Sequence, residues 1–497
     1  MLSVPAASAL PDFPSGWRWP TVWGALSGLV VSASECGPLR EVYSLIALAP
    51  ACVGLARCPS RSTALCLSAS FAVAWMLPAY SWLDLECLLL LRNRLALWIA
   101  IRITACLGVV VVLLLIWSLG RRGWLFCGLL PTVCFGGEQI LDRLAREWLG
   151  TTIDPLRLGL GQIDHSPFGQ AASVGEVSLV SWLVAATNGL VADFALRRFW
   201  KLSQRRLACA VIFVIVITAV FGTTRLMSTR SDGCAVAAVP IPFPTMLDDS
   251  PPWLTKLSNA DLIVFPESAL ACRFNVEEKC DALVAAWAAG LKRTLVVGGL
   301  RTSLDPVGEH VTAAIAYPTQ NQLIYSDKRF PVPIFECAPP LARWLGVESP
   351  TEWHAGSQRP TGILPGGQRF AVGICHDALF SEWTNDAQFE AVDFLVHISN
   401  VRAVCTETAK SRFLKCVQLR AIESGLPILH CSMSGRSCVI DGLGQIVVQQ
   451  DRENRDAAIS GVVPRPVASP WNSNPSGQMT FFLAASMALW TWRTARA

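Results

Sequence analysis

Long uncharged stretches alternate with short clusters of charged residues in the first half of the chain. The cleanest are Leu207 to Thr224, eighteen residues without a charge, and Ile103 to Leu119. Both approach the roughly 20 apolar residues that an α-helix needs to cross a bilayer. Weaker stretches of the same kind lie at 20–34, 41–56, 63–83, 123–136, 177–196 and 479–492. The pattern therefore predicts eight membrane-spanning helices, all but one of them before residue 231.

After residue 230 the pattern changes to short apolar runs separated by polar turns. Helices are predicted at 276–289 and 408–424, and strands at 235–241, 262–265, 294–300, 313–317, 322–325, 370–374, 394–398 and 427–431. Several of these strands are apolar on both faces, which is typical of sheets covered on both sides by other layers. We therefore predict a membrane bundle of about seven helices over 1–230, an α/β domain over 231–468 and a C-terminal membrane helix over 469–497.

Composition supports a membrane protein. Of the 497 residues, 52% are hydrophobic and only 16% are charged, whereas soluble domains carry about 25% charged residues. Such a chain is too apolar for a disordered protein.

The net charge of +4 is small, and no run of basic residues with interleaved aromatics occurs. We therefore expect no nucleic-acid partner.

The positions of arginine and lysine in the short loops predict an orientation. Arg57 and Arg61 follow the second predicted helix, Arg121 and Arg122 follow the fourth, and five basic residues lie between Arg197 and Arg206. All three loops lie on one side if every predicted helix spans, and basic loops are typically cytoplasmic. Residues 231–468 are then expected outside the cytoplasm.

Cysteine is abundant, with eighteen residues split evenly between the two halves of the chain. The nine in the second half would face an oxidising compartment, where some could form disulfides whose pairing the sequence leaves open. They are Cys234, Cys272, Cys280, Cys337, Cys375, Cys405, Cys416, Cys431 and Cys438. We expect no metal site, because neither CxxC nor HxxxH spacing occurs.

Three polar residues stand at the ends of predicted strands, where side chains can emerge into a cleft. They are Glu267, Lys328 and Cys375. A thiol attacks an acyl carbon best when a base takes its proton and a cation favours the thiolate. A lysine ammonium can also stabilise the oxyanion of a tetrahedral intermediate, together with the backbone N–H after the nucleophile. Taken singly, Cys375 could equally be a buried strand cysteine and the other two could be solvated loop charges.

Taken together, these residues lie in motifs that resemble a known family. The strings FPES at 265–268, YSDKRFPVPIFE at 325–336 and GICHD at 373–377 resemble the Glu, Lys and Cys motifs of the nitrilase superfamily. The spacing from Lys328 to Glu336 is similar to that of the apolipoprotein N-acyltransferase family. Further similarity to that family lies at LGLGQ 158–162, QAASVGEVSLV 170–180, Asn188, VQLRAIESGLPIL 417–429 and VIDGLGQI 439–446.

The resemblance implies a multi-pass α-helical membrane bundle plus an α/β nitrilase-like αββα sandwich. It implies that Cys375 is the nucleophile, Glu267 the general base, Lys328 the oxyanion stabiliser and Glu336 a second carboxylate beside the lysine. The implied substrates are a phospholipid acyl donor and a lipoprotein acceptor, with no cofactor. The implied location is the bacterial inner membrane, with the catalytic domain facing the periplasm.

The residues around the motifs depart from the family pattern. His376 and Asp377 stand where the family usually has an aromatic residue and then Glu, and Phe413 stands in place of a usual histidine. The segment around Asn400 also differs. We assign His376, Asp377 and Asn400 to the substrate-binding rim. Because this rim is altered, two alternatives stay open: a conjugal-transfer protein of the TraB type, with different or lost activity, and a membrane-tethered amidase.

The predicted orientation is testable with reporter fusions. Alkaline phosphatase, which is active only outside the cytoplasm, should be active when fused after Ser250 and inactive when fused after Arg206, because the basic loop between the sixth and seventh predicted helices is retained inside. A fusion that is silent after Ser250 would contradict the orientation.

Overall fold

A computed structural model gives the fold of the chain. It describes residues 11–14, 16–36, 40–79, 95–198, 201–228, 233–241, 259–271, 273–304, 307–320, 322–344, 351–385, 392–404, 406–450 and 457–468, with isolated positions at 81, 257, 346, 348–349, 486 and 490. The membrane helix predicted at 479–492 lies almost entirely outside the described residues.

The first part of the chain is helical. Its helices are α1 Arg18–Cys36, α2 Arg40–Tyr43, α3 Ala49–Ala56, α4 Arg61–Ala79, α5 Leu95–Arg121, α6 Phe126–Leu144, α7 Ala172–Ala195 and α8 Leu202–Leu226. Within the described residues, four segments are long and apolar enough to cross a membrane: 61–79 in α4, 102–121 in α5, 167–195 around α7 and 202–226 in α8. These four helices agree with the membrane segments predicted at 63–83, 103–119, 177–196 and 207–224.

The exposed surfaces of two of these helices are apolar. Leu107, Val111 and Leu115 are each about half exposed on α5, and Phe213 and Val220 are similarly exposed on α8. Residues four apart lie on one face of a helix. In water such stripes would be unfavourable, whereas a lipid environment accommodates them. The exposed faces therefore support the membrane character of this part.

The prediction of a single membrane helix at 41–56 is wrong. This stretch folds as α2, a turn and α3. Pro50 lies in the first turn of α3, and the side chain of Asn188 accepts hydrogen bonds from the backbone N–H groups of Leu48 and Ala49 at 2.7 and 3.1 Å. At 1.5 Å per residue α3 is about 12 Å long, far short of the roughly 30 Å hydrocarbon core of a bilayer.

The segment predicted at 123–136 also differs from the structure. Helix α6 begins at Phe126 and continues through Glu138, Asp142 and Arg143. It is not one of the four candidate membrane helices.

The rest of the chain is built on two β-sheets. In chain order the strands are β1 Cys234–Ala238, β2 Leu262–Val264, β3 Arg273–Phe274, β4 Thr294–Leu304, β5 Val307–Ala316, β6 Ile324–Asp327, β7 Gly362–Ile363, β8 Arg369–Ile374, β9 Phe394–Asn400, β10 Ile428–Met433, β11 Cys438–Ile440, β12 Ile446–Gln449 and β13 Ile459–Val463. The helices are α9 Glu278–Leu291, α10 Pro340–Trp344, α11 Glu382–Asn385 and α12 Glu407–Ser424. One sheet has the order β13-β1-β2-β4-β5-β6, with β3 beside β4, and the other the order β12-β11-β10-β9-β8-β7.

Alternate residues of the strands form separate hydrophobic clusters. Leu262 and Val264 of β2 share one cluster with Val372 of β8 and Val396 of β9, so this cluster lies between the sheets. The intervening Ile263 packs with Trp287 of α9 on the outer face of the first sheet. On the second sheet, Ala371 and Leu395 pack with Val417 of α12. These contacts give four layers in the order helix, sheet, sheet, helix, as the predicted αββα sandwich requires.

The described chain forms two compact units, and their limits differ from a simple division by hydropathy. One unit comprises residues within 1–141, 156–224 and 475–497, while the other comprises residues within 142–155 and 225–474. Within the second unit, Asp154 accepts a hydrogen bond from buried Arg420 at 2.7 Å, and the carbonyl of Pro155 accepts one from Arg412 at 2.8 Å. The hydropathy pattern contains no signal for these tertiary contacts.

The packing of β8 against α11 gives a stability test. A Cβ added at Gly373 would lie 2.2 Å from the indole ring of Trp383, so Gly373→Ala should lower the free energy of unfolding by about 1 to 3 kcal/mol through overpacking. Gly290→Ala is the matched control, because nothing lies within 4 Å of a Cβ there and alanine favours a helix. Thermal unfolding of the purified protein in detergent measures both. Equal melting temperatures for the two variants would contradict the prediction.

Candidate active site

Four strands of the sandwich end at the same place. Glu267 lies three residues after β2, Lys328 directly follows β6, Cys375 directly follows β8, and Asn400 is the last residue of β9. Strands β2 and β6 belong to one sheet, and β8 and β9 to the other. The two facing sheets therefore bring residues far apart in sequence to one site.

Lys328 is at the centre of this site. Its ammonium donates hydrogen bonds to Glu267 Oε1 at 2.9 Å and to Glu336 Oε1 at 2.8 Å. The lysine side chain is 1% exposed, so it depends on these two carboxylates to compensate its lost hydration. Its backbone is held as well, because its N–H donates to Val311 and its carbonyl accepts from Gly356.

Backbone N–H groups hold the remaining oxygen of each carboxylate. Glu336 Oε2 accepts from the N–H of Val332 at 2.7 Å, and Glu267 Oε2 accepts from the N–H of Asn400 at 2.9 Å. Both carboxylates are buried. With both oxygens of each group engaged, the charged cluster is fixed in position rather than free to rearrange.

Cys375 directly follows β8 and is the first residue of a short 3₁₀ helix, Cys375–Leu379, so it lies at a constrained turn. Its φ is +49°, a left-handed conformation that is uncommon for residues other than glycine and is concentrated at functional sites. Glu267 lies near enough to the thiol for its negative charge to raise the pKa of Cys375. The turn therefore presents the sulfur to the carboxylate that the sequence predicts to be its base.

The electrostatics of the site favour a neutral thiol at rest. Burial and the negative charge of Glu267 raise the pKa of the Cys375 thiol well above its usual value, and Lys328 only partly opposes them. Burial alone would lower the pKa of Lys328, but Glu267, Cys375 and Glu336 raise it well above its usual value. Burial also raises the pKa of Glu336. A thiol in this state reacts as a nucleophile only when its proton is removed at the moment of reaction.

Asp377 connects the cysteine turn to the lysine loop. One of its oxygens accepts from the backbone N–H of Ile374 at 3.0 Å, and the other accepts from the N–H groups of Arg329 and Phe330 at 3.0 and 2.9 Å. Burial raises the pKa of Asp377 to about 6. Because its contacts are to the protein backbone, the geometry supports a positioning role, and its predicted role in substrate binding stays a prediction.

His376 and Asn400 also contact the protein itself. The ring of His376 lies between the carbonyl of Phe330, 3.2 Å from Nδ1, and the hydroxyl of Thr151, 3.0 Å from Nε2. Burial and the charge of Lys328 lower the pKa of His376 to about 3. The side-chain oxygen of Asn400 accepts from the N–H of Arg402 at 3.1 Å. Their assignment to substrate binding likewise stays a prediction.

Two histidines that the sequence did not single out lie directly behind the cysteine turn. His397 Nε2 is 3.0 Å from the carbonyl oxygen of Cys375, and His397 Nδ1 is 2.8 Å from Nδ1 of His430. They occupy paired positions on β9 and β10. A strand-pairing prediction with correct register could have found them, because parallel neighbours in register share a face. Within the described residues, no group of three or more His, Cys, Asp or Glu side chains could hold a metal ion.

Comparison with known proteins gives matches in both parts of the chain. Residues 24–190 match the model of the apolipoprotein N-acyltransferase N-terminal domain. The chain is 25% identical to the apolipoprotein N-acyltransferase of Vibrio cholerae, over 71% of this chain and 73% of that protein. It is 28% identical to that of Sinorhizobium medicae, over 43% of this chain and 42% of that protein. These matches confirm the resemblance that the motifs indicate.

Among solved structures, Saccharomyces cerevisiae Nit3, a member of branch 10 of the nitrilase superfamily, matches with a TM-score of 0.36 and 17% identity. The match covers 48% of this chain and 92% of that one.

The contacts of Asp377 generate a prediction about reactivity. In Asp377→Asn one oxygen becomes an NH₂ group that faces a backbone donor, so the connection between the two loops weakens and the reaction of Cys375 with acyl donors should slow about 10- to 100-fold. Asp393→Asn is the matched control, since Asp393 accepts from the N–H of Arg369 at the opposite end of β8. Acylation is measured by mass spectrometry of the Cys375 peptide. A control variant as slow as Asp377→Asn would contradict the positioning role.

Proposed function

We propose, from its similarity to the apolipoprotein N-acyltransferases, that this chain is a membrane-bound acyltransferase of the nitrilase type. It moves a fatty acyl group from a phospholipid, through a thioester on Cys375, to the N-terminal amine of a lipoprotein. The observation that carries the proposal is the buried Lys328 ammonium, hydrogen-bonded to both Glu267 and Glu336 beside the cysteine.

In the first step Glu267 takes the proton of the Cys375 thiol as the sulfur attacks the ester carbonyl of the phospholipid. A C–S bond forms, and the negative charge that develops on the carbonyl oxygen is stabilised by Lys328 and by the backbone N–H of His376. The ester C–O bond then breaks. Glu267 returns its proton to the leaving alcohol of the lysophospholipid, so the enzyme is left as an acyl-thioester with an ionised Glu267.

In the second step the amine of the acceptor attacks the thioester. A C–N bond forms and the C–S bond breaks, and Glu267 carries a proton from the nitrogen to the departing sulfur. The product is an amide, and the thiol is restored. Dividing the transfer into two steps gives each a lower barrier than direct attack of the amine on the ester.

Glu336 keeps Lys328 charged during this cycle. When Glu267 becomes protonated it no longer balances the lysine, but Glu336 still accepts from the ammonium at 2.8 Å. A buried ammonium without any carboxylate partner would favour its neutral form. The second carboxylate therefore preserves the positive charge at the moment when the oxyanion forms.

We further propose that the chain lies in the bacterial inner membrane with residues 231–468 facing the periplasm. The five basic residues between Arg197 and Arg206, directly before α8, support this orientation, because a basic loop is typically retained in the cytoplasm. A disulfide at Cys280 supports it as well, because disulfides persist in oxidising compartments such as the periplasm. Both substrates of the proposed reaction are lipid-anchored, so a membrane-bound enzyme meets them at the bilayer surface.

The first test concerns the covalent intermediate. Wild type incubated with an alkyne-labelled phospholipid should form an adduct that hydroxylamine removes, and Cys375→Ser should form none, because Glu267 is too weak a base to deprotonate a serine hydroxyl. Lys328→Ala should slow labelling by about 10²- to 10³-fold, the usual effect of removing one oxyanion donor. Cys337→Ser, a partly buried cysteine outside the predicted catalytic set, is the matched control and should label like wild type.

Labelling of Cys375→Ser at the wild-type rate would show that Cys375 is not the nucleophile. The acceptor is tested separately, by complementation of a strain depleted of its own apolipoprotein N-acyltransferase. Complementation supports N-acylation of lipoproteins. Thioester formation without complementation would favour an acceptor other than a lipoprotein amine, as the altered rim and the conjugal-transfer or amidase alternatives imply.

A further inference from the structure

The histidine pair behind the nucleophile forms a directional chain of hydrogen bonds. A carbonyl oxygen only accepts hydrogen bonds, so Nε2 of His397 carries a proton and donates a hydrogen bond to the carbonyl of Cys375. Burial lowers the pKa of His397 to about 4 and the pKa of His430 well below its usual value, so both rings are neutral near pH 7. With its one proton on Nε2, His397 accepts at Nδ1, and His430 donates there from its own Nδ1.

This chain acts on the peptide unit that carries the N–H after the nucleophile. The carbonyl of Cys375 and the N–H of His376 belong to the same planar trans peptide, in which they point in opposite directions. Holding the carbonyl at 3.0 Å from His397 therefore also fixes the direction of the His376 N–H. A hydrogen bond to the carbonyl further polarises the peptide, which makes its N–H a better donor.

We infer that His397 and His430 are positioning residues that aim the His376 N–H at the oxyanion of the acyl-transfer reaction. The inference rests on the proposed function, because it assumes an oxyanion formed by attack of Cys375. His397 makes the contact, and His430 fixes the His397 tautomer that can make it. Neither histidine touches the substrate in this role.

The surroundings of the pair support a specific role over simple packing. Both rings are almost fully buried and stacked, with ring centroids 4.9 Å apart. Trp383 and Phe413 lie against His397, with ring centroids 5.2 and 5.8 Å away. Two polar rings in such an apolar setting cost desolvation, whereas apolar side chains at these positions would pack without that cost. Compared with apolar side chains, the histidines provide one additional interaction, the hydrogen bond to the carbonyl of Cys375.

The test compares two reagents that differ in whether they form an oxyanion. A p-nitrophenyl acyl ester acylates Cys375: the C–S bond forms, the thiol proton goes to Glu267, and nitrophenolate leaves with the electrons of the broken C–O bond. Iodoacetamide alkylates the same sulfur by displacement of iodide, with no oxyanion. Both rates are measured on the purified full-length protein in detergent, by mass spectrometry of the Cys375 peptide.

We expect His397→Phe to slow acylation by the ester about 10- to 100-fold and to leave the alkylation rate within about threefold of wild type. His397→Gln, whose amide can donate from nearly the position of Nε2, should recover part of the acylation rate. His430→Phe should reduce the acylation rate less than His397→Phe does. It leaves His397 in place as the donor to Cys375 and only removes the contact that fixes the tautomer of His397.

The matched control is Ser399→Ala. Ser399 lies two residues after His397 on β9, is fully buried, and donates to Ser432 of β10 at 2.8 Å. This variant removes a neighbouring hydrogen bond between the same strands without reaching Cys375, and it should change neither rate.

Equal slowing of both reagents in His397→Phe, or the same loss in Ser399→Ala, would overturn the inference, since either result indicates a general structural role. The ester also separates the inference from the proposed function. Wild type that reacts with the ester but not with phospholipid would refute the proposed acyl donor and still support the histidine pair if the variants behave as expected. Wild type that is alkylated but never acylated would refute both.

Discussion

A buried ammonium is the feature on which the rest of the site depends. Lys328 is removed almost completely from water, and transferring an unpaired charge into such an environment is strongly unfavourable. The fold compensates it with two carboxylates, one from each side of the lysine in sequence, and each carboxylate is fixed by a backbone N–H group. The contacts that stabilise the charge also determine where it is held. Stability and reactivity at this site consequently rest on the same hydrogen bonds.

The ends of the strands could be predicted from the sequence because the strands of this domain are apolar and interrupted by turns. Lys328 and Cys375 directly follow such runs and Glu267 lies three residues after one, and parallel strands end at one edge of a sheet. The contacts that orient them were not predictable. Glu267, Glu336 and Asp377 are held by backbone N–H groups, those of Asn400, Val332, Arg329 and Phe330. Every residue except proline has such a group, so the amino-acid sequence does not indicate which of them will bind a carboxylate. The left-handed turn at Cys375 is likewise imposed by tertiary structure.

In the helical part the sequence predicts where apolar segments lie but not how they pack. Hydropathy identifies apolar segments, but it does not distinguish a helix that faces lipid from one enclosed by other helices. In the region 167–195, 78% of the most apolar window is buried within the protein, compared with 17% in 102–121, although both were predicted by the same criterion. The stretch 41–56 is largely apolar, with Glu41 as its one charged residue. It nevertheless divides into two short helices, because Pro50 and the side chain of Asn188 favour a new helix start. A polar contact from a distant helix overrides the local pattern there.

The second unit is discontinuous in sequence, and this affects how the chain is made. Asp154 leaves the ribosome 266 residues before Arg420, the residue whose guanidinium it binds. At about 5 to 20 residues per second, the interval between their synthesis is roughly 10 to 50 s. Helices α7 and α8 are translated during that interval. Residues 142–155 therefore lack these contacts while the following 266 residues are synthesised, and the second unit can complete its folding only after Arg420 has been made.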